Sequence, residues 1–466
     1  MSSDELKANG EEKNPFLIGK PFAANDLAES ADASAAADGS EAPSGGNGKR
    51  YSVLPHRTNL TSRLWLDRFD RNNSEYKKLV DSTGAHPDTA AGARRPRHLV
   101  LKHMKDSYIE GELPFKSNPH VREEYVNFYG SIRIAKLLED LDAMAGSISY
   151  THCDDNTPET PPLTIVTASV DRIDLLKRPS LEQDTKVSGM VTYVGHSSME
   201  ITITVEEVND ADEPTDAILK ARFTMVARDP ITNQSVQVNP LVLENDAERR
   251  LFAMGAELKA QKKLAASQAL TKAPPTPEER LVIHDLWLQS KKYAEAPTLP
   301  ASLAWMSDSK MQSVVITQPQ DRNIHNFIFG GYLMRQAFEV AYTTASVFCK
   351  GHPVFLAMDD IWFRKPVPIG SILRFDSRVV YSRAPTNTSF QVMVTAEVID
   401  IKTGTRDTTN VFHYTFGLDK AKNSHQLPQV LPRTYEESMN YLEGKRKWEL
   451  GLEMAKENHS KLLNLW

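Results

Sequence analysis

The order of elements in this chain is written twice, and that repetition constrains its fold more than any other feature. A strand-like run, SYIEGELPF, precedes a long helical stretch, SIRIAKLLEDLDAMAGSISYTHC, and the alternating segment MEITITVEEV follows. Farther along come MQSVVITQ, the helical GGYLMRQAFEVAYTTASVFC, and strand-like runs around LRFDSRVVY, SFQVMVTAEVI and TNVFHYTFG. Cys153 and Cys349 each close the long helix of their segment and stand 196 residues apart, whereas the strand motifs Val170-Asp171-Arg172-Ile173 and Met358-Asp359-Asp360-Ile361 stand 188 apart. The longer first-half loop DDNTPETPP accounts for the difference. Two α+β units in tandem follow from this pattern. A length of 466 residues agrees, because one core seldom organises so many.

The units are expected over 95–235 and 300–420. Residues 1–58 include ADASAAADGSEAPSGGNGKR, with too little apolar surface to offset the entropy of ordering, and are expected to be disordered. A helical linker is expected over 240–295, where Thr276-Pro277-Glu278-Glu279 combines a capping threonine, a first-turn proline and a glutamate at the third helical position. Thr434-Tyr435-Glu436-Glu437 begins a helical tail over 432–466 in the same way. No stretch approaches 18 unbroken apolar residues, so no membrane span is expected. The net charge of -6 argues against a nucleic-acid partner. Two cysteines without CxxC or Cys/His spacing suit a reducing compartment, core packing and no metal site. The N-terminus carries acids before any apolar run, which fits neither a secretory signal nor an Arg-rich transit peptide.

In the first long helix Leu138, Leu141, Ala145 and Ile148 recur at helical spacing, and Asp142 falls on or beside that stripe. Glu139 and Asp140 are expected toward solvent, with Asp140 pairing with Lys136 one turn earlier. Periodicity alone also allows all of EDLD to form a solvated face. A carboxylate in apolar surroundings, by contrast, is suited to accept a proton from water. The second helix is preceded by Asn323-Ile324-His325-Asn326-Phe327-Ile328-Phe329 and begins on Gly330-Gly331. Paired glycines permit close backbone approach, and first-turn amides at the positive end of the helix dipole can stabilise an oxyanion. Asn326 adds an amide nearby. His325 alone reads as a loop or packing histidine.

The segments HNFIFGGYLMRQAFEVA, GSIRIAKLLEDLDAMAG, VDRIDLLKRP and MDDIWFRKPVPIG, in this order, resemble the acyl-CoA thioesterase family of hotdog proteins, in particular its mitochondrial group. The resemblance covers roughly residues 95–420. It implies an α+β fold of two tandem hotdog domains, each an antiparallel sheet wrapped around a long central helix, packed as a double hotdog. It also implies catalysis between the units, with a helix carboxylate from one and an Asn or a neighbouring group at the helix start of the other. Asp142 matches the acid, and its counterpart 196 residues on is Phe338; Asn326 matches the amide, and its counterpart is Gly130. One complementary pair is left, hence one site per chain.

In that site Asp142 acts as general base or nucleophile, while Asn326 and the amides of Gly330 and Gly331 polarise the thioester carbonyl. The spacing from Asn326 to Gly330 is one residue longer than in some relatives, which makes His325 the substitute. Arg364, Lys365, Lys177 and Arg178 become candidate contacts for coenzyme A phosphates, although exposed basic residues commonly serve solubility alone. The resemblance further implies no metal or cofactor, since coenzyme A is part of the substrate, a homo-oligomer, and a mitochondrial location with the cytoplasm as alternative. Two other readings are a hotdog enoyl-CoA hydratase, disfavoured by the lack of an Asp-x-Asn-Pro-x-His segment, and a non-catalytic acyl-CoA sensor, which has no use for an Asp142 and Asn326 pair.

Overall fold

The structure, a computed structural model, describes residues 60–61, 98–155, 163–209, 214–229, 232–323, 327–382, 388–418 and 426–457. These belong to one unit, Val53–Trp466. The expected disordered segment 1–58, His325, Asn326 and the last nine residues of the tail lie outside the described residues. The first half runs β1 (Ile109–Leu113), α1 (Ile134–Cys153), β2 (Thr164–Val170), β3 (Ile173–Asp174), β4 (Asp184–Val194), β5 (Ser198–Val208) and β6 (Pro214–Arg228). Helices α2 (Asp246–Ser267) and α3 (Pro277–Lys292) follow, and Thr276 and Glu279 cap α3 reciprocally. The second half runs β7 (Met311–Ile316), α4 (Gly330–Cys349), β8 (Pro353–Met358), β9 (Ile361–Trp362), β10 (Ile372–Ser382), β11 (Ser389–Ile399) and β12 (Arg406–Leu418), and α5 (Tyr435–Glu457) comes last.

The fold is mixed α and β, with two six-stranded antiparallel sheets ordered β9-β2-β6-β5-β4-β1 and β7-β10-β11-β12-β8-β3. In β5 the residues Ile201, Ile203 and Val205 are fully buried while Thr202 and Thr204 are not, the period-two pattern of a strand with one face in the core. Each sheet ends on a two-residue strand from the other half. Ile173 pairs with Met358 and Asp174 with Ala357 in one sheet, and Val170 with Ile361 and Ser169 with Trp362 in the other. One antiparallel register therefore runs through both pairings, and the halves are joined sheet to sheet.

Register shifts interrupt the ladders at Thr167/Ser169 and Val191/Tyr193 in the first half, and at Phe355/Ala357 and Val379/Tyr381 in the second. The two sets are 188 residues apart, the same offset as the strand motifs. Bulges bend a strand and increase its twist. Each of these sheets packs on a helix, α1 in one half and α4 in the other.

Helices α1 and α4 each span 20 residues, and they pack against each other as well as against strands. This double burial corrects the expectation for Glu139 and Asp140, which are only 2% and 0% exposed. Periodicity predicts a polar face where a helix meets water, but here a second helix and the segment before α1 cover that face. Burial requires partners. Arg335 of α4 lies 3.1 Å from Glu139, and the Tyr125 and Thr61 hydroxyls donate to Asp140, the latter at 2.6 Å. Both cysteines are buried, and burial pushes the Cys349 thiol up to about 11, which suits packing rather than chemistry.

Candidate active site

Where the start of α4 meets the middle of α1, two halves of the chain converge on Asp142. The carboxylate is 1% exposed. Its Oδ2 accepts the backbone N–H of Gly331 at 2.7 Å, and its Oδ1 accepts the hydroxyl of Thr167, on β2, at 2.8 Å. A first-turn helix amide has no intrahelical partner, so an acid from the neighbouring helix satisfies it. The Gly330 amide, one residue earlier, belongs to the same unsatisfied set.

The two glycines are required by the closeness of this contact. A Cβ on Gly331 would lie 2.9 Å from the Glu139 carbonyl oxygen, 3.0 Å from the Glu139 Cα and 2.6 Å from the Phe329 ring; one on Gly330 would lie 3.0 Å from Asp142 Oδ2 and 3.4 Å from the Phe363 ring. The Glu139 backbone of α1 is among these neighbours and cannot yield cheaply. Gly331→Ala is expected to push α1 and α4 apart and lower stability by about 1–3 kcal/mol, measurable by denaturant unfolding. A change below about 0.5 kcal/mol would mean the helices are not held this close.

The equivalent corner of the other half is lined by aromatic rings. The positions of Asp142 and Thr167 are taken by Phe338, 196 residues on, and Phe355, 188 on. Their rings meet edge to face with centroids 5.2 Å apart, and Tyr414 packs against Phe338 at 5.5 Å. Tyr332 on α4 is buried, and burial pushes its phenol up to about 12, so it is no proton acceptor near neutrality.

The four proposed phosphate contacts are dispersed. Arg364 and Lys177 line one large cavity, which does not include Asp142, Thr167, Gly330 or Gly331. Lys177 is paired with Glu207 at 2.6 Å, Lys365 is paired with Asp407 at 2.6 Å, and Arg178 is exposed.

The chain is 41% identical over 362 residues to the mitochondrial acyl-coenzyme A thioesterase 9 of Bos taurus, covering 77% of this chain and 80% of that relative. The chain belongs to the acyl-coenzyme A thioesterase family. Among other thioesterases of this kind, the chloroplastic acyl-coenzyme A thioesterase 2 of Humulus lupulus is 36% identical over 414 residues, 85% of this chain and 90% of its own. A solved acyl-CoA hydrolase of Staphylococcus aureus, in complex with butyryl coenzyme A and coenzyme A, matches 35% of this chain and 98% of its own at 27% identity and a TM-score of 0.32, too slight a likeness to carry an argument. No protein-family profile matches. Thr167, whose hydroxyl donates to Asp142, was not singled out from the sequence, because it lies inside a run, TIVTASV, that reads only as a strand. Comparison across the repeat offers the signal for it, since Thr167 is exchanged for Phe355 just as Asp142 is exchanged for Phe338.

Proposed function

We infer that this chain hydrolyses acyl-coenzyme A thioesters to a free acid and coenzyme A at one site, built from Asp142 and Thr167 of the first half and the start of α4 in the second. The observation that carries this reading is the Asp142 carboxylate held across the two halves by Gly331 and Thr167. The chain is further proposed to be two tandem hotdog domains, 95–235 and 300–420, joined by the helical linker 240–295 and followed by the helical tail. The bulges repeated at one offset and the two 20-residue central helices support it.

In the proposed reaction Asp142 removes a proton from water as the water oxygen attacks the acyl carbon. A carboxylate oxygen carries two lone pairs and can accept from more than one donor. Negative charge gathers on the thioester oxygen, where the Gly330 amide and the α4 dipole stabilise it, and Asn326 is proposed as a further donor. The C–S bond then breaks and the thiolate takes up a proton. No metal or cofactor enters this scheme. A mitochondrial location and assembly into a homo-oligomer are proposed by kinship with the mitochondrial relatives.

Thiol release from a panel of short to long acyl-CoA esters tests the reading. Steady turnover with at least one ester is expected; tight binding of every ester without turnover would favour a sensor instead. Thr167→Val keeps the shape but removes the donor to Asp142, and a hydrogen bond to a charged group contributes about 1.5–3 kcal/mol. The expected loss in kcat/KM is about 10- to 100-fold, with Thr167→Ser close to wild type; equal activity in the two variants would remove Thr167 from the site.

A further inference from the structure

Helices α1 and α4 cross with their chain directions opposed. Going forward along α4, Gly331 meets Asp142 and the Glu139 backbone, Arg335 meets the Glu139 side chain and Glu339 meets Arg133, so the partners on α1 run backward. Two equivalent helices that cross in this way face each other position for position at one level only. Glu139 and Arg335 occupy that level, because they stand 196 residues apart, the offset that also relates Cys153 to Cys349. There a pairing of like halves would bring two glutamates or two arginines together, and only unlike halves bring opposite charges.

The pair is buried where the helices touch. The Glu139 side chain is 3% exposed and that of Arg335 is 16%, with the guanidinium also 5.4 Å from the centroid of the Tyr332 ring. Arg133 and Glu339 lie 2.6 Å apart but are 36% and 45% exposed, and exposed pairs contribute little. A buried ion pair is seldom more stabilising than apolar side chains of similar size, since both charges give up their water. Its value lies in specifying an arrangement, because a partner that is missing or shifted leaves a charge buried alone.

The arrangement specified here is that of the carboxylate site. Gly331 and Arg335 are about one turn apart on α4, as Glu139 and Asp142 are on α1. The hydrogen bond from the Gly331 N–H to Asp142 at 2.7 Å and the contact of Arg335 with Glu139 at 3.1 Å therefore fasten successive turns of the two helices together. Sliding α4 by one residue shifts both donors along their acceptors by about 1.5 Å. We propose that Glu139 and Arg335 are positioning residues, a buried pair that fixes the register of α4 on α1 and so holds the Gly330 and Gly331 amides at Asp142. This rests on the reading of Asp142 as the catalytic carboxylate. Neither residue touches the reacting atoms; both act through the start of α4.

The test combines Glu139→Met with Arg335→Met in the full chain, which keeps the bulk of both side chains and removes both charges. Apolar replacement of a buried ion pair leaves stability equal or higher, and the midpoint of denaturant unfolding checks this. In that folded variant kcat for thiol release is expected to fall about 10- to 100-fold, the effect of misplacement by about 1 Å, with KM unchanged. Hydrogen–deuterium exchange at the start of α4 is expected to quicken, which a purely stabilising pair would not cause. The reversed pair, Glu139→Arg with Arg335→Glu, restores opposite charges and is expected to turn over about tenfold faster than either single reversal, as coupled neighbours do. A methionine pair with wild-type kcat and exchange, or a reversed pair no more active than its single reversals, would overturn the proposal. Asp142→Asn, assayed beside them, separates the two readings. If it is inactive while the methionine pair is fully active, the positioning role alone fails; if it is active, the site fails and the positioning role with it.

Discussion

Asp142→Asn is expected to lower kcat for acyl-CoA hydrolysis by about 10²- to 10⁴-fold, the usual contribution of a positioned general base. The amide keeps the size of the carboxylate and leaves an oxygen to accept from Gly331 or Thr167, whose hydroxyl and amide now hold the acid at 2.8 and 2.7 Å. The fold is therefore preserved while the proton acceptor is lost. KM is expected to change little, because the proposed role of the carboxylate is in the transition state rather than in binding the nucleotide end of the substrate. Initial rates of thiol release, with circular dichroism as the control for folding, measure this. A folded variant within about threefold of wild type would fall short of any general-base contribution and would take Asp142 out of the chemistry.

Phe338→Ala is expected to do the reverse, with a large loss of stability and none of turnover per folded chain. Phe338 is 5% exposed and packs against Phe355, Tyr414 and Phe416. Truncating a buried phenylalanine costs about 3–5 kcal/mol, through lost transfer energy and the cavity left behind. Denaturant unfolding measures the first half of the prediction. The second half follows from the asymmetry between the two corners, since the aromatic pair occupies the place where a second carboxylate and its hydroxyl donor would stand. A tenfold fall in kcat with unfolding free energy unchanged would mean that this corner, and not the Asp142 corner, does the chemistry.

Much of the fold was legible in the sequence because its signals are local. The 3.6-residue stripe of α1, the alternation of β5 and the capping residues of α3 each lie within one element. The burial of Asp142 was only partly legible, because the stripe equally allowed all of EDLD a solvated face and it was the resemblance that singled Asp142 out. Glu139 and Asp140 were misplaced because their burial depends on residues far away in the chain. Arg335 is 196 positions from Glu139, and Tyr125 and Thr61 reach Asp140 from segments whose approach no periodicity encodes.

Thr167 is a harder case, since threonine is an ordinary strand residue and only the geometry shows its hydroxyl on the carboxylate. The large cavity lined by Arg364 and Lys177 was beyond reach, because its walls come from β6, α2, α5 and the segments around β3 and β9, and only tertiary packing brings them together.

We propose one hydrolytic site per chain, shared between the two halves. Titrating the active chain with a non-hydrolysable thioether analogue of an acyl-CoA it turns over, at chain concentrations well above the dissociation constant, tests it most directly. Thiol-release activity is predicted to fall linearly to zero at one equivalent per chain. An end point at two equivalents would mean that the corner around Phe338 also works, and full activity with the analogue bound would mean that hydrolysis takes place elsewhere.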